Sequence, residues 1–216
     1  FLVALKLVAW GEQRWTYARL AQELGLSASE AHAAVKRATQ AELLVQTALL
    51  APPPAGVPSA QEAPAIYRVH TRPRRAKAAE ASGADNPARV HSRNLAEFAV
   101  HGARYAFAPE RLPMAVGVPT SHSAPAFKGV FAPGSADWVW PHPNGTVRGQ
   151  GLEPLHPSAP FAAMQDAKLY ELLALFDALV DGALVTSRRG NIQRLAFILD
   201  DQARQQSQAE RVKTVG

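Results

Sequence analysis

Residues Trp15–Thr39 read W-T-Y-A-R-L-A-Q-E-L-G-L-S-A-S-E-A-H-A-A-V-K-R-A-T. Tyr17, Leu20, Ala21 and Leu24 recur at the i, i+3, i+4, i+7 spacing of one buried helix face. Thr16 is placed to cap that helix, and Gly25 follows it where a left-handed residue closes a helix. Leu26 is then free to plug a core. Ser27 opens a second helix. Ser27 and Glu30 stand at the S-x-x-E spacing in which hydroxyl and carboxylate each satisfy a free backbone N–H. Ala31, Ala34, Val35 and Ala38 give this helix a narrow inner face that lets it lie close to a neighbour. The positions left facing outward are Ala28, Ser29, His32, Ala33, Lys36 and Arg37.

Two short helices joined by Gly25-Leu26-Ser27, the second ending in Lys36-Arg37, resemble the DNA-reading unit of bacterial winged helix-turn-helix transcriptional regulators of the multiple-antibiotic-resistance-regulator type. The resemblance implies that the second helix, about 28–39, docks in the major groove of double-stranded DNA. It implies base or phosphate contacts from Ser27, Ser29 and His32, phosphate contacts from Lys36 and Arg37, and a phosphate at Thr16, where the preceding helix begins. The competing reading is an ordinary helical hairpin, since such turns occur in many proteins.

A winged domain places a β-hairpin after this unit. Leu43–Leu50 and Ala65–Thr71 are the strand candidates, the latter with Ile66, Arg68 and His70 alternating against Tyr67 and Val69. Between them, A-P-P-P-A-G-V-P-S-A-Q-E-A-P (51–64) is too proline-rich for regular structure and has no Lys or Arg, unlike a short basic wing tip. The basic run R-P-R-R-A-K comes later, and Arg72, Arg74, Arg75 and Lys77 in it read either as an arm on the minor groove or phosphates or as a solvated loop.

Charge supports a polyanion partner for one half of the chain. The formal net charge is +5 over 216 residues, and it lies in residues 1–105, with 13 Lys/Arg against 8 Asp/Glu, whereas residues 106–216 balance. With no cysteine, disulfides and thiolate metal sites are excluded. No run of about 18 apolar residues is long enough to span a bilayer, and Phe1–Ala9, apolar apart from Lys6, reads as a first core helix, Phe1–Trp10, rather than a signal peptide. A cytoplasmic protein is the expectation.

Residues 78–90 look loose. Ser92–Phe107 reads as a helix with Leu95, Phe98, Ala99, Gly102 and Tyr105 or Ala106 inside. Residues 108–165 hold ten prolines and five of the sixteen aromatics. Within them, Asp137–Trp140 and Thr146–Gln150 flank the turn signal Pro143-Asn144-Gly145, which predicts a small hairpin. Gln165–Val180 is the clearest long helix, its apolar stripe serving either a dimer interface or packing within the chain. Asn191–Gln206 is a further helix candidate. The strings N-L-A-E-F-A-V-H-G-A-R-Y-A-F-A-P-E, P-T-S-H-S-A-P-A-F, V-W-P-H-P-N-G-T-V-R-G, E-P-L-H-P-S-A-P and A-K-L-Y-E-L-L-A-L-F-D-A-L (94–179) resemble a group of bacterial winged-helix proteins linked to toxin–antitoxin or defence loci.

The sequence therefore predicts an α+β chain with a winged helix-turn-helix at 1–77, a linker at 78–91, and a helical and irregular part at 92–216 for dimerisation or partner binding. The resemblance implies a homodimeric DNA-binding regulator, a repressor or an antitoxin-like autoregulator. The alternative is a protein-interaction module that neutralises a partner such as a toxin. No catalytic constellation is visible. Ser121-His122-Ser123 has no nucleophile elbow, Gly149-Gln150-Gly151 is no phosphate loop, and His101, His122, His142 and His156 lack metal-ligand spacing. Neither a cofactor nor a metal is expected. Phe127, Phe131, Trp138, Trp140 and Tyr105 read as core packing or, alternatively, as the lining of a small pocket.

Overall fold

In a computed structural model the described residues are 1–11, 13–46, 88–127 and 136–180. The chain mixes helices and sheet, α+β in general terms. In order it runs α1 (Leu2–Trp10), α2 (Tyr17–Leu24), α3 (Ala28–Gln40), β1 (Leu44–Gln46), β2 (Ala88–Val90), α4 (Ser92–Glu97), a π-helical stretch (Phe98–Gly102), α5 (Ala103–Ala106), β3 (Arg111–Pro119), β4 (Trp138–Pro141), β5 (Val147–Leu152), α6 (Ala159–Gln165) and α7 (Ala167–Val180).

The first helix, α1, is buried on every side, with all nine of its residues inside. It packs against α3 on one side and α7 on another. Lys6 lies inside with no exposed surface, and is satisfied only because two carboxylates reach it. Its Nζ is 2.7 Å from Glu23 Oε2 of α2 and 2.8 Å from Asp166 Oδ2 at the head of α7. Trp10 Nε1 also donates to Glu23, and Asp166 Oδ1 accepts from the Lys168 and Leu169 amides, so one buried cation ties three helices at a capped helix start.

The apolar stripe of α7 is used within the chain. Leu169, Leu172, Leu173, Leu175 and Leu179 are buried in one core with Leu5, Leu20, Val35 and Leu95. Of the two readings of that stripe, packing within the chain accounts for it.

Two strand expectations change. β1 covers only Leu44–Gln46 of the first candidate, and residues 47–50 lie outside the described residues. Its antiparallel partner is Ala88–Val90, Leu44 facing Val90 and Gln46 facing Ala88, in a stretch whose composition looks loose. The candidate Ala65–Thr71 lies outside the described residues. The small hairpin is also corrected. β4 and β5 flank the expected turn but run parallel to each other, and β3 pairs antiparallel with both, so the three strands close on one another. Proline masked β3: Pro113 has no N–H to give, and the register shifts between Leu112 and Met114. Closure this tight requires glycine. A Cβ on Gly117 would fall on the Trp140 carbonyl, and one on Gly149 on the carbonyl of Asp137.

The helix after β2 begins where expected, but its inward residues are Leu95, Ala99 and Ala103. A π-helical turn holds more residues than an α turn, so the inward spacing widens to four and Tyr105 rotates out to 80% exposure. Trp140 and Phe127 are core residues, Trp138 is half-buried beneath the Arg111 guanidinium, and Phe131 lies outside the described residues. The helix candidate Asn191–Gln206 also lies outside them.

Candidate nucleic-acid interface

The α2–turn–α3 unit is built from the signals in its sequence. Thr16 Oγ1 accepts from the Arg19 amide at 3.2 Å and caps α2. Gly25 adopts φ 64°, ψ 34°, the left-handed conformation that ends a helix without a side-chain clash. Its bare Cα also admits the Phe161 ring of α6, which an added Cβ would meet at 3.0 Å. Leu26 donates its amide to the Ala21 carbonyl at 2.8 Å, and the chain turns into α3. There Ser27 Oγ accepts from the Glu30 amide at 3.2 Å, while Glu30 Oε2 accepts from the Ser27 amide at 2.8 Å and its hydroxyl at 2.7 Å. Those bonds, the hydroxyl's first and then the amide's, hold the Glu30 carboxyl below its ordinary pKa.

The structure separates the outward residues of α3. At about 100° per residue, Ser29 and Lys36 lie on the side opposite the buried Ala31, Val35 and Ala38, and both are exposed. They are two turns apart, about 10 Å along the axis. His32 is half-buried on one flank, its ring 5.0 Å from that of Tyr17. Arg37 is exposed on the other flank, about 140° round from His32, and lines a cavity with α4. Ser27 spends its only proton on Glu30, and the Thr16 hydroxyl oxygen accepts at its own cap, so both serve as helix caps.

The strand pair follows at once. The Trp15 indole donates to the Ala88 carbonyl at 3.3 Å, and the His91 amide to the Leu43 carbonyl at 2.9 Å, which fixes β1–β2 against the helical unit. Because β1 pairs with 88–90, residues 47–87 form the connection between two paired strands, and Arg72, Arg74, Arg75 and Lys77 fall inside it. Those four lie outside the described residues.

Sequence reasoning missed two groups. Lys6 was the one charge in an apolar run, a signal for a paired buried cation. Asp177 gave no such signal within the α7 stripe. It is 4% exposed, and its Oδ2 accepts from Thr120 Oγ1 at 2.6 Å and Trp140 Nε1 at 2.7 Å. Tyr170 donates its hydroxyl to the Pro119 carbonyl at 2.5 Å, and burial pushes its pKa up to about 12. Among the described residues no cluster of His, Asp and Glu is arranged to hold a metal ion, and no helix is long and apolar enough to cross a membrane.

Comparison with protein-family models, with curated proteins and with solved structures gives no match to this chain.

Proposed function

We propose that the chain is a sequence-specific double-stranded DNA-binding regulator of the winged helix-turn-helix kind, with α3 in the major groove. The observation that carries the reading is one continuous arrangement. A capped α3 presents exposed Ser29 and Lys36, and an antiparallel strand pair follows it whose connection, 47–87, holds five cationic residues, gathered at 68–77, against three acidic ones at Glu62, Glu80 and Asp85. In this role Ser29 and His32 approach base edges, and Lys36 meets a phosphate. The arm at Arg72, Arg74, Arg75 and Lys77 adds affinity that depends on salt rather than sequence. The chain acts by occupying an operator, as a repressor or an antitoxin-like autoregulator, and as a homodimer reads two half-sites about 34 Å apart. Since the α7 stripe is buried within one chain, the two copies meet through another surface.

A second reading, a module that grips and neutralises a partner protein such as a toxin, draws on one feature. Met114 and Val116 are 52% and 50% exposed on β3. Fluorescence anisotropy on the protein's own promoter across a salt series separates the two. The regulator shows log affinity falling steeply with log salt and a marked preference over bulk DNA. Lys36→Ala weakens all sequences alike and lowers the salt slope by about one. Equal affinity for promoter and bulk DNA removes the regulator and favours the partner-binding reading.

A further inference from the structure

The closed strands turn their small residues inward and leave an apolar strip facing out. Residues opposite each other in β3 and β5 share a face, so Met114 stands beside Gln150 and Val116 beside Arg148. Met114, Val116 and Arg148 are exposed and Gln150 is half-buried. The other face holds Ala115, Gly117, Gly149 and Gly151, where the closure leaves no room for a larger side chain on the glycines. Trp138 of β4 joins the outer face level with Gln150, and the Arg111 guanidinium lies 5.2 Å over its ring.

Charge is divided along this strip. Arg148 marks one end. At the other end Glu110 and Glu153 are brought together, the Glu153 amide donating to the Glu110 carbonyl at 2.9 Å. Arg148, Glu110 and Glu153 are exposed and form no ion pair among the described residues. Arg111 leaves the acidic end with one net negative charge, against one positive charge at Arg148. Asp137 stands level with Gly149 and so, by alternation, on the other face. Arg148 and Glu153 are five residues apart, about 17 Å, and Met114 lies near the midpoint, beside Gln150. An apolar centre between opposite charges is complementary to itself. A half-turn about Met114 carries Arg148 of one copy onto the Glu110–Glu153 end of the other, and the same contact recurs across the axis.

We infer that two copies of this chain associate through the outer face of β3 and β5, with Met114 at the two-fold axis and Arg148 against Glu110 and Glu153 of the second copy. The assignment rests on the homodimer of the proposed function and names the surface it uses, since the α7 stripe is spent within the chain. Phe161 and Met164 of α6 are also exposed, but Phe161 lies against Gly25 at the turn into α3. The start of a recognition helix is where base edges are met, so a copy seated there would stand in the way of DNA. The strands join α7 toward its other end, at Asp177. The face measures about 20 Å along the strands and about 15 Å across three of them. Two copies therefore bury an area at the small end for specific interfaces, and the dimer exchanges with monomer on dilution.

Sedimentation equilibrium on the full chain without DNA, between about 1 and 300 μM, tests it. The parent is a reversible dimer. Arg148→Glu and Glu153→Arg each set like charges against each other twice and weaken association at least about tenfold. Arg148→Glu combined with Glu153→Arg restores the attraction with its signs exchanged and recovers the parent's dissociation constant to within about threefold. Met114→Glu, which places two carboxylates at the axis, weakens association at least about tenfold. Phe161→Glu leaves it unchanged. All these positions are exposed, and circular dichroism should stay that of the parent. A parent that stays monomeric, which leaves the face to some other partner, overturns the assignment. So does a dimer indifferent to Arg148→Glu and Met114→Glu, or a double reversal no better than either single one. The promoter titration is separate: a dimer without promoter preference removes the regulator and keeps this interface, whereas a monomer with that preference removes the interface alone.

Discussion

The helical unit α1–α3 and the closed strands β3–β5 are fastened to the same helix in different ways. The helical unit meets the head of α7 through Lys6, a cation shared between Glu23 and Asp166. The strands meet it eleven residues on, about 16 Å along the axis, through Asp177, a buried carboxyl that accepts from Thr120 and Trp140. Each junction is a buried polar side chain satisfied from two sides, a lysine by carboxylates in one and a carboxyl by uncharged donors in the other. The difference lies in what each region needs before it reaches α7. The helices close their own hydrogen bonds, α1 buried all round and α2 and α3 burying one face each. The strands have no structure until all three are paired, and their closure admits no side chain at Gly117 or Gly149. So the helical unit should yield by degrees, and the strands all at once.

The largest effect should come from Gly117→Ala. The new Cβ meets a backbone carbonyl, which has no rotamer to escape into. A loss of about 4 kcal/mol or more follows, in the range of severe backbone clashes. Two tryptophans sit in each region, Trp10 and Trp15 among the helices and Trp138 and Trp140 in the strands. Variants keeping only one pair allow each region to be followed by fluorescence during urea unfolding. The strand signal should be lost first in Gly117→Ala. Coincident loss of both signals would show that the two regions are one cooperative unit and would break the comparison.

Lys6→Met is next. Removing one partner of a buried ion pair typically costs about 3–5 kcal/mol, and the lower end is expected because Glu23 and Asp166 are 29% and 19% exposed and can rehydrate. The same junction sets a pH dependence. Burial pushes both carboxyl groups up, but the hydrogen bonds from Lys6, with Arg19 on Glu23 and the Leu169 amide on Asp166, outweigh it and leave both below their ordinary values. A depressed carboxyl contributes stability that is complete above its unfolded pKa, about 4, and fades as pH falls through the folded value. Acid should therefore loosen the parent between about pH 4.5 and the lower folded values, as read by thermal melting, and Lys6→Met should show a smaller acid-induced drop. An equal drop in both would place the acid-sensitive groups elsewhere.

The two regions also differ in how far their sequences speak. The caps and the turn that shape α2–turn–α3 lie within a few residues of what they fix: Thr16 with Arg19, Ser27 with Glu30, Gly25 at the turn. Periodicity and capping report such structure directly. The strands depend on pairings that span tens of residues, such as Arg111 with Leu152, and on glycines whose need arises only on closure. A proline inside β3 argued against the strand, and Asn-Gly argued for a hairpin that β3 pre-empts by pairing with both flanks. Ala88–Val90 is too short for a pattern, so the partner of β1 could not be read. At the candidate interface the outward face of α3 was legible, but its division was not. Helical spacing alone does not show that Tyr17 covers His32 or that Arg37 lines a cavity with α4.

The smallest effect sharpens the comparison most. Ser27→Ala removes the hydroxyl that accepts from the Glu30 amide and donates to the Glu30 carboxylate, at a cost of about 1 kcal/mol. The change is local. Hydrogen exchange should quicken in the first turn of α3 while the strand amides keep their protection, because no bond between the regions passes through Ser27. Ser27→Asp separates capping from contact, since aspartate caps a helix as well as serine does but brings a negative charge. If Ser27 acts on DNA only by ordering α3, Ser27→Ala should weaken DNA binding by no more than its loss of helix order explains. Ser27→Asp should restore that order yet bind more weakly than the parent, and the deficit should shrink as salt rises and screens the added charge. A Ser27→Ala variant whose helix exchanges like the parent but whose promoter affinity falls more than tenfold would instead make the hydroxyl a direct contact, with Glu30 as its competitor for the proton.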